Sequence, residues 1–336
     1  MEDDILPIPV IPQPLRREAG RGMVIPFIGA GVSRLAGGPS WAEFANGALS
    51  SFVEQGSMDH ATYAQMQHLS PRIKLSMALE REKQVVPGGG RPIDFLKLLH
   101  PTGDCSHRKG RRLYGGLSTF SRRFVTTNYD WWLDTPILLP TTGTQEPGPG
   151  EQAVELKPQK RTMYVSPSDF KISVFDKPNM VLHLHGSVDV RESMILTTEH
   201  YVRHYANDRR DGEEENRVLT LLDELFERYT CLFIGYGLEE LEILEYVISN
   251  KRRRMTPQKE VKHFLLQGFF SHERALMREL RTYYTAQCRI TMIPYLRDEL
   301  DWDQLLDVID HFAREIPIGD AQVSARLASM KELLNG

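Results

Sequence analysis

Short apolar runs recur along the chain and are separated by longer segments with helical periodicity. Most runs are rich in β-branched or aliphatic residues and are followed by glycine or polar residues, which is typical of buried parallel strands. The runs comprise residues 24–28, 124–127, 180–185, 232–235, 263–266 and 290–293. Strands that alternate with helices predict an α/β fold with a mainly parallel, Rossmann-like sheet and helices on both faces.

The segments between these runs predict helices. One begins near Trp41, where Ser40 can cap the helix and Glu43 can complete a capping box. Residues 57–115 predict irregular helices, interrupted by the glycine- and proline-rich stretch 87–92, so a helical insertion is expected at about 50–115. Further helices are expected at 241–248, 272–285, 302–315 and 320–334, and loops at 140–150 and 207–216.

The N-terminal segment is expected to be an extended arm. Prolines at positions 7, 9, 12 and 14 fix φ and remove backbone donors, so residues 1–15 are predicted to be non-helical and the arm to end near residue 20. Such an arm is a candidate contact with a neighbouring subunit, and a disordered tail is the alternative. We expect one large domain over residues 21–300, with C-terminal helices at 301–336 packed on it.

Composition narrows the class of protein. The chain has 336 residues, of which 41% are hydrophobic and 26% charged, as in an ordinary soluble globular protein. Its net charge of -4 provides no overall attraction to nucleic acid or membranes. The N-terminus lacks the features of a signal peptide, and no apolar run approaches the roughly 20 residues that span a bilayer. A cytoplasmic protein without membrane contact is therefore expected.

A basic run at Lys251–Arg254 is the main candidate for contact with nucleic acid. Four basic residues after a helix also favour the helix C-terminus electrostatically, so a solvated cap is the alternative. No direct nucleic-acid binding is expected.

Cysteine and histidine spacing does not predict a metal site. Cys105, Cys231 and Cys288 lie too far apart for a paired-cysteine zinc site. His183 and His185 lie on one side of a strand, but no Asp, Glu or Cys follows at a diagnostic spacing. Either histidine can be a hydrogen-bonded core residue, and an imidazole beside a nucleotide pocket can also act as a general base.

A glycine turn follows the first apolar run, with Gly29, Ala30, Gly31 and Ser33 as candidate ligand-binding residues. Its glycines can let the backbone approach a diphosphate, although a simple turn is the alternative. The turn lacks the third glycine of the usual dinucleotide motif and the Gly-Lys-Ser/Thr of a P-loop.

Polar residues follow the second run in the stretch Thr126-Thr127-Asn128-Tyr129-Asp130. The Asn128 amide can orient a ribose hydroxyl or a water, and the Asp130 carboxylate can hold a carboxamide or a ribose edge. An Asx-turn that ends the strand is the alternative.

Gly235 and Tyr236 form a second strand-to-glycine turn. Its backbone amides can receive an adenosine ribose or a phosphate, and a simple turn without a ligand is the alternative.

Ligands of parallel α/β sheets bind at the carboxyl ends of the strands, near the point where strand order reverses. Gly29–Ser33, Asn128–Asp130, His185–Ser187 and Gly235 each follow a predicted strand. These segments should therefore meet at one edge of the sheet.

Together and in this order, these motifs resemble the sirtuin superfamily, and specifically the sirtuin-like domains of bacterial anti-phage defence proteins. The resemblance covers roughly residues 22–300. Gly-Ala-Gly-Val-Ser is similar to the family's phosphate loop, Thr-Asn-Tyr-Asp to its asparagine-containing strand end, and His-Gly to its catalytic histidine. The resemblance implies that Asn128 and His185 are catalytic, whereas it gives His183 no such role. If NAD binds here, Thr127 and Asp130 are expected to contact it, with Asp130 at the nicotinamide end.

One departure from the family concerns the subclass. Sirtuin deacylases carry a four-cysteine zinc module after the His-Gly motif, whereas residues 186–201 contain no cysteine here. The resemblance therefore implies a zinc-less NAD hydrolase that releases nicotinamide and ADP-ribose. A protein deacylase, an ADP-ribosyltransferase and a catalytically idle NAD- or ADP-ribose-binding assembly subunit are the alternatives.

The resemblance also implies partners. Such proteins deplete cellular NAD during phage infection, and many possess a separate sensor. The sirtuin-like part occupies most of this chain, so we expect a homo-oligomer and a partner, a HerA-type hexameric ATPase.

Overall fold

The computed structural model describes residues 5–100, 107–137, 160–205, 216–237 and 263–316. At its centre is a seven-stranded sheet with the strand order β3-β4-β2-β1-β5-β6-β7, in which every neighbouring pair is parallel. The strands are β1 (Val24–Ile28), β2 (Arg123–Thr126), β3 (Thr162–Tyr164), β4 (Met180–His183), β5 (Thr230–Ile234), β6 (His263–Phe269) and β7 (Ile290–Leu296). The predicted parallel, Rossmann-like α/β fold is confirmed.

Helices surround this sheet and also form a separate layer at one end of it. They are α1 (Gln13–Gly20), α2 (Ala30–Leu35), α3 (Trp41–Glu54), α4 (His60–Met66), α5 (Pro71–Val85), α6 (Phe95–Leu99), α7 (Arg108–Phe120), α8 (Thr198–Tyr205), α9 (Arg217–Arg228), α10 (Arg274–Tyr283) and α11 (Gln304–Glu315). In the described part of the chain, no helix is long and apolar enough to cross a membrane.

Both faces of the central strand are buried, because its alternate residues enter two different cores. Ile25 and Phe27 pack in one core with Leu225 of α9. Val24 and Ile28 pack in the other, which includes residues of α7 and α11. This explains why the predicted strand is a continuous apolar run without alternation.

The helical module α3–α6 has a core of its own. Phe44, Leu49 and Phe52 of α3 pack there with Leu75 of α5 and Phe95 of α6. At the start of α3, Ser40 accepts a hydrogen bond from the Glu43 amide while the Glu43 carboxylate accepts one from the Ser40 amide, which confirms the predicted capping box. Helices α4–α6 lie within the expected range of about 50–115, whereas α3, which belongs to the same module, begins earlier at Trp41.

The expected extended arm is wrong for its last eight residues, because Gln13–Gly20 is helix α1. Proline is compatible with the first helical turn, where its fixed φ suits the helix and its missing N–H removes no intrahelical bond. Pro12 caps α1, and its carbonyl accepts a hydrogen bond from the Arg16 amide at 3.1 Å. The prolines therefore mark where the helix begins.

The N-terminal segment also packs on its own chain. Ile5, Ile11 and Leu15 are buried in the two cores, and the Leu6 carbonyl accepts a hydrogen bond from the Leu296 amide at 2.9 Å. Residues 5–20 are therefore part of the domain, and a contact with a neighbouring subunit remains a prediction.

Several other predictions lie outside the described residues. These are the helices at 241–248 and 320–334, the basic run at 251–254, the loop at 140–150, nearly all of the loop at 207–216, and Cys105.

Replacing Leu15 with alanine should lower the free energy of unfolding by about 3 kcal/mol, since a fully buried leucine is lost from the core. Val10→Ala is the matched control, because Val10 is 77% exposed and its truncation should cost less than about 0.5 kcal/mol. Urea denaturation of both variants measures the difference. Equal effects would indicate a tail that does not pack.

Candidate active site

The predicted functional residues gather at the carboxyl ends of four adjacent strands, β4, β2, β1 and β5. The chain proceeds from β1 to one side of the sheet and returns to the other side at β5, so strand order reverses at β1. Such a reversal opens a crevice at the strand ends, which is where α/β proteins bind ligands. The sheet thus brings together the turns that follow these strands.

The turns after β1 and β5 are in direct backbone contact. The Gly29 amide donates to the Ile234 carbonyl at 2.9 Å, and the Gly31 amide donates to the Gly235 carbonyl at 2.8 Å. A Cβ atom on Gly29 or on Gly31 would lie within 2.9 Å of the Gly235 oxygen. Gly235 itself has a φ of 74°, and its Cβ would lie 2.6 Å from Val32 Cγ2.

These contacts explain why positions 29, 31 and 235 are occupied by glycine, which the sequence alone did not reveal. Side chains are excluded by the opposite turn, and the amides of Gly29 and Gly31 already have partners within the chain. Contact between Gly29, Ala30 or Gly31 and a diphosphate therefore stays a prediction.

Ser33 and Asp130 are hydrogen-bonded to each other. The Ser33 hydroxyl donates to Asp130 Oδ2, and the Trp132 amide donates to Asp130 Oδ1 at 3.1 Å. Burial raises the pKa of the Asp130 carboxyl, an effect that the Ser33 hydrogen bond opposes. Oδ2 thus holds the turn after β2 against α2, Oδ1 stabilises the turn itself, and a ligand would have to share these oxygens.

Asn128 is held at three of its four polar atoms. Its amide donates to Thr126 Oγ1 at 3.0 Å, its side-chain Nδ2 donates to the Gly29 carbonyl at 3.0 Å, and its carbonyl accepts a hydrogen bond from His183 Nδ1 at 3.2 Å. Because the Gly29 carbonyl can only accept, the side-chain atom facing it must be the NH2 group. Among the described residues, Oδ1 has no partner and is left to accept a hydrogen bond.

Thr127 and Tyr236 connect the turns after β2 and β5. The Tyr236 hydroxyl lies 3.2 Å from Thr127 Oγ1 and 3.5 Å from the Ile28 carbonyl. Tyr236 is only 4% exposed, and its ring lies where a Gly29 side chain would be. Tyr236 is thus a wall of the site, and its contact with a ligand is untested.

His183 and His185 occupy different surroundings. His183 is fully buried, and its Nε2 lies 2.8 Å from Asp134 Oδ1. His185 Nε2 lies 2.7 Å from the Tyr205 hydroxyl, and its Nδ1 lies 3.3 Å from the Tyr201 hydroxyl. Both tyrosines lie on α8 four residues apart, on one side of that helix.

Burial lowers the pKa of His185 from 6.5 to about 3, and the nearby His204 and Arg72 contribute in the same direction. Burial also raises the pKa of Tyr205 well above its ordinary value. At neutral pH the imidazole and the phenol are therefore both uncharged. A neutral imidazole has one N–H donor and one acceptor nitrogen. It can therefore donate a hydrogen bond to one tyrosine hydroxyl and accept one from the other.

The helical module covers this edge of the sheet. Tyr129, next to Asn128, stacks on Trp41 and Phe44 of α3, and its hydroxyl donates to the Ile195 carbonyl at 2.6 Å. After β4, Arg191 forms an ion pair with Glu82 of α5. The module is thus fixed to the turns that carry Asn128 and His185.

Several residues of the site were not predicted from the sequence, namely Arg72, Asp134, Tyr201, His204 and Tyr205. The spacing of Tyr201 and Tyr205 places them on one helix face, but no pattern indicates that this face meets His185. Within the described ranges, no group of three or more His, Cys, Asp or Glu residues is arranged to hold a metal ion. The absence of a metal cofactor stays a prediction.

A parallel sheet with two touching glycine turns and polar residues at its reversal point defines an α/β domain of the nucleotide-binding type. A family model described as the SIR2-like domain matches residues 122–292, and the chain belongs to this family. The matched residues include Asn128, His185 and Gly235. Members of this family are NAD-dependent enzymes, so NAD-related activity follows in general terms. Among curated proteins, none matches the chain.

Gly235→Ala should lower the free energy of unfolding by about 3 kcal/mol, because it combines a positive φ with a clash against Val32. Gly237→Ala is the matched control, since a Cβ at Gly237 meets no atom of the described residues within 4 Å, and it should change stability by less than about 1 kcal/mol. Chemical denaturation followed by circular dichroism compares the two. Similar stabilities would mean that the two turns are not in contact.

The buried, neutral His185 predicts acid sensitivity. Between its ordinary pKa of 6.5 and its folded value of about 3, the unfolded chain binds a proton at this residue and the folded chain does not, so stability falls as the pH is lowered through this window. From pH 7 to pH 5, wild type should lose about 2 kcal/mol more than His185→Gln, which cannot titrate. Unfolding curves at both pH values measure this. Parallel losses in the two proteins would contradict a neutral His185.

Proposed function

We propose that the protein is an NAD glycohydrolase, which cleaves the nicotinamide–ribose bond and releases nicotinamide and ADP-ribose. The observation that carries this proposal is the pairing of Asn128 with His185. Thr126 and His183 are register partners on neighbouring strands, so Asn128 and His185 occupy equivalent positions two residues beyond them. An amide oxygen that accepts hydrogen bonds and a neutral imidazole thus follow adjacent strand ends.

Hydrolysis of NAD requires a hydrogen-bond acceptor and a proton acceptor, which are the groups that Asn128 and His185 provide. Hydrolysis breaks the bond between the ribose C1′ and the nicotinamide nitrogen, and the bonding electrons leave with nicotinamide. The oxygen of a water forms the new bond to C1′, and one water proton is released. As the bond breaks, positive charge develops on the ribose, so a group that orients a water or a ribose hydroxyl and a group that accepts a proton both favour the reaction.

In this proposal Asn128 orients the water or the ribose hydroxyl through Oδ1, and His185 accepts the proton. His185 presents a lone pair to the substrate only if one of its tyrosine partners gives way, since both ring nitrogens face phenol hydroxyls. Its pKa must also rise in the complex with substrate, because burial holds it at about 3 and a general base works best near the ambient pH. Substrate binding therefore replaces the hydrogen bond to Tyr201 or to Tyr205. A hydroxyl of the substrate can supply the same kind of bond.

The remaining assignments follow the order of the strand ends. The diphosphate is assigned to the turn Gly29–Ser33, the adenosine to Gly235 and Tyr236, and the nicotinamide end to Thr127 and Asp130. The contact between the turns after β1 and β5 supports a continuous binding edge. Asp130 would contact the nicotinamide carboxamide while still accepting hydrogen bonds from Ser33 and Trp132.

The proposed biological role is NAD depletion in anti-phage defence by a cytoplasmic protein. The support is the resemblance to sirtuin-like defence proteins together with the SIR2-like domain. On the same basis we propose a homo-oligomer that works with a HerA-type hexameric ATPase. Comparing NAD consumption with and without such an ATPase tests whether the partner controls the activity.

Purified wild-type protein should consume NAD in the absence of any acceptor and release nicotinamide and ADP-ribose in equal amounts. His185→Ala should lower kcat by about 10²- to 10⁴-fold, because it removes the general base. Asn128→Ala should abolish turnover while the protein remains folded. Liquid chromatography of the nucleotides, with circular dichroism for folding, measures both variants.

The test also distinguishes the alternatives. NAD consumption that begins only when an acyl-peptide or an acceptor protein is added would indicate a deacylase or a transferase. Wild-type rates in both variants would place the reaction elsewhere. Binding of ADP-ribose without turnover, alone and with the partner, would indicate an idle assembly subunit.

A further inference from the structure

We propose that His183 and Asp134 form a positioning pair, which holds the backbone of Asn128 so that the Asn128 amide oxygen faces the substrate. This inference rests on the proposed function and extends it to two residues that do not themselves touch the substrate. Both residues are buried, with exposures of 0% for His183 and 3% for Asp134.

The hydrogen-bond directions are determined by the partners. The Asn128 carbonyl can only accept, so His183 Nδ1 must carry the proton that it donates at 3.2 Å. The other ring nitrogen, Nε2, shares a proton with Asp134 Oδ1 at 2.8 Å. Asp134 therefore fixes the orientation of the imidazole, and the imidazole fixes the position of the Asn128 carbonyl.

Asp134 lies near the buried Arg161, yet in the described part of the chain only one of its carboxylate oxygens accepts a hydrogen bond. Its second carboxylate oxygen, Oδ2, is buried with no hydrogen-bond partner in the described part of the chain. A buried carboxyl with an unpaired oxygen costs free energy, so its presence in a native structure calls for an explanation, for which a positioning role is one candidate. Among the described residues, its side chain forms a hydrogen bond with His183 alone.

The pair completes the restraint on Asn128. Gly29 holds its side-chain NH2 group, Thr126 holds its amide and His183 holds its carbonyl, so only Oδ1 is left for the substrate. Without His183, the Asn128 carbonyl would lose its partner and the peptide could rotate. A displacement of about 1 Å at a group that orients the reactants can reduce the rate about 100-fold.

His183 offers variants that separate positioning from stability. His183→Leu removes both hydrogen bonds, whereas the amide NH2 of His183→Asn can replace Nδ1 as donor to the Asn128 carbonyl. Leu182→Ala is the matched control, because Leu182 is the fully buried neighbour on β4 whose side chain packs in the core containing Phe27. All variants are assayed for kcat and KM with NAD at a temperature where unfolding curves show them folded.

His183→Leu should lower kcat by about 10- to 100-fold with KM changed less than about threefold, and His183→Asn should recover most of the lost kcat. Leu182→Ala should lose stability and keep its kcat. Equal kcat losses in His183→Leu and Leu182→Ala, or no recovery in His183→Asn, would overturn the proposal. If His183→Leu does not fold, Asp134→Asn, whose amide can donate to Nε2, should retain the kcat that Asp134→Ala loses, and equal kcat values would overturn the proposal.

A spectroscopic measurement is independent of turnover. The side-chain amide resonance of Asn128, assigned by its loss in Asn128→Ala, should move in His183→Leu and stay in place in Leu182→Ala. An unmoved resonance in His183→Leu would overturn the positioning role. A wild-type protein without NAD turnover would contradict the proposed function alone, and the resonance comparison would still decide the positioning role.

Discussion

The contact between the backbones of the Gly29 and Gly235 turns is the constraint on which the rest of the site depends. It brings the ends of β1 and β5 closer than any side chain would allow. The Gly29 carbonyl then faces Asn128, and the Tyr236 ring that covers Gly29 reaches Thr127. Three strand ends are therefore connected through main-chain atoms, the side-chain amide of Asn128 and the hydroxyl groups of Thr127 and Tyr236.

Burial of polar groups is the cost of this arrangement. Asp130, Asp134, His183 and His185 all lie below 10% exposure at one edge of the sheet. Each has at least one hydrogen-bond partner, which offsets part of the lost hydration. The module α3–α6 covers the same edge, so electrostatic interactions there are stronger than at a surface exposed to water. An environment of this kind favours a reaction that develops charge.

The sheet and the strand-end residues could be predicted because their signals are local. Buried parallel strands are apolar runs, and the capping box of α3 is contained in Ser40 and Glu43. The predicted runs correspond to six of the strands, whereas the three-residue β3 was too short to produce a pattern. The prolines of the N-terminal segment were misinterpreted because proline is compatible with an extended chain and with a first helical turn.

The environment of each site residue could not be predicted, because it depends on contacts between distant segments. Tyr201 and Tyr205 reach His185 only after α8 packs beside α5 and α9, and Asp134 reaches His183 only after β2 and β4 pair. From the sequence, the glycines of the two turns were interpreted as positions where a ligand approaches the backbone. In the structure, each turn lies so close to the other that no side chain fits on Gly29, Gly31 or Gly235. The motifs thus identified the edge of the sheet, and the tertiary structure determined how each group is held there.

The position of β1 has a consequence for biosynthesis. Val24 pairs with Thr230, and Phe27 pairs with Val125 on the other side, so neither neighbour of the central strand is close to it in sequence. Contacts between distant segments form slowly, because a long loop must close first. During translation, the edge that carries Asn128 remains incomplete until the ribosome has released the residues of β5. A nascent or prematurely terminated chain would therefore lack the neighbour of β1 that completes this edge of the sheet.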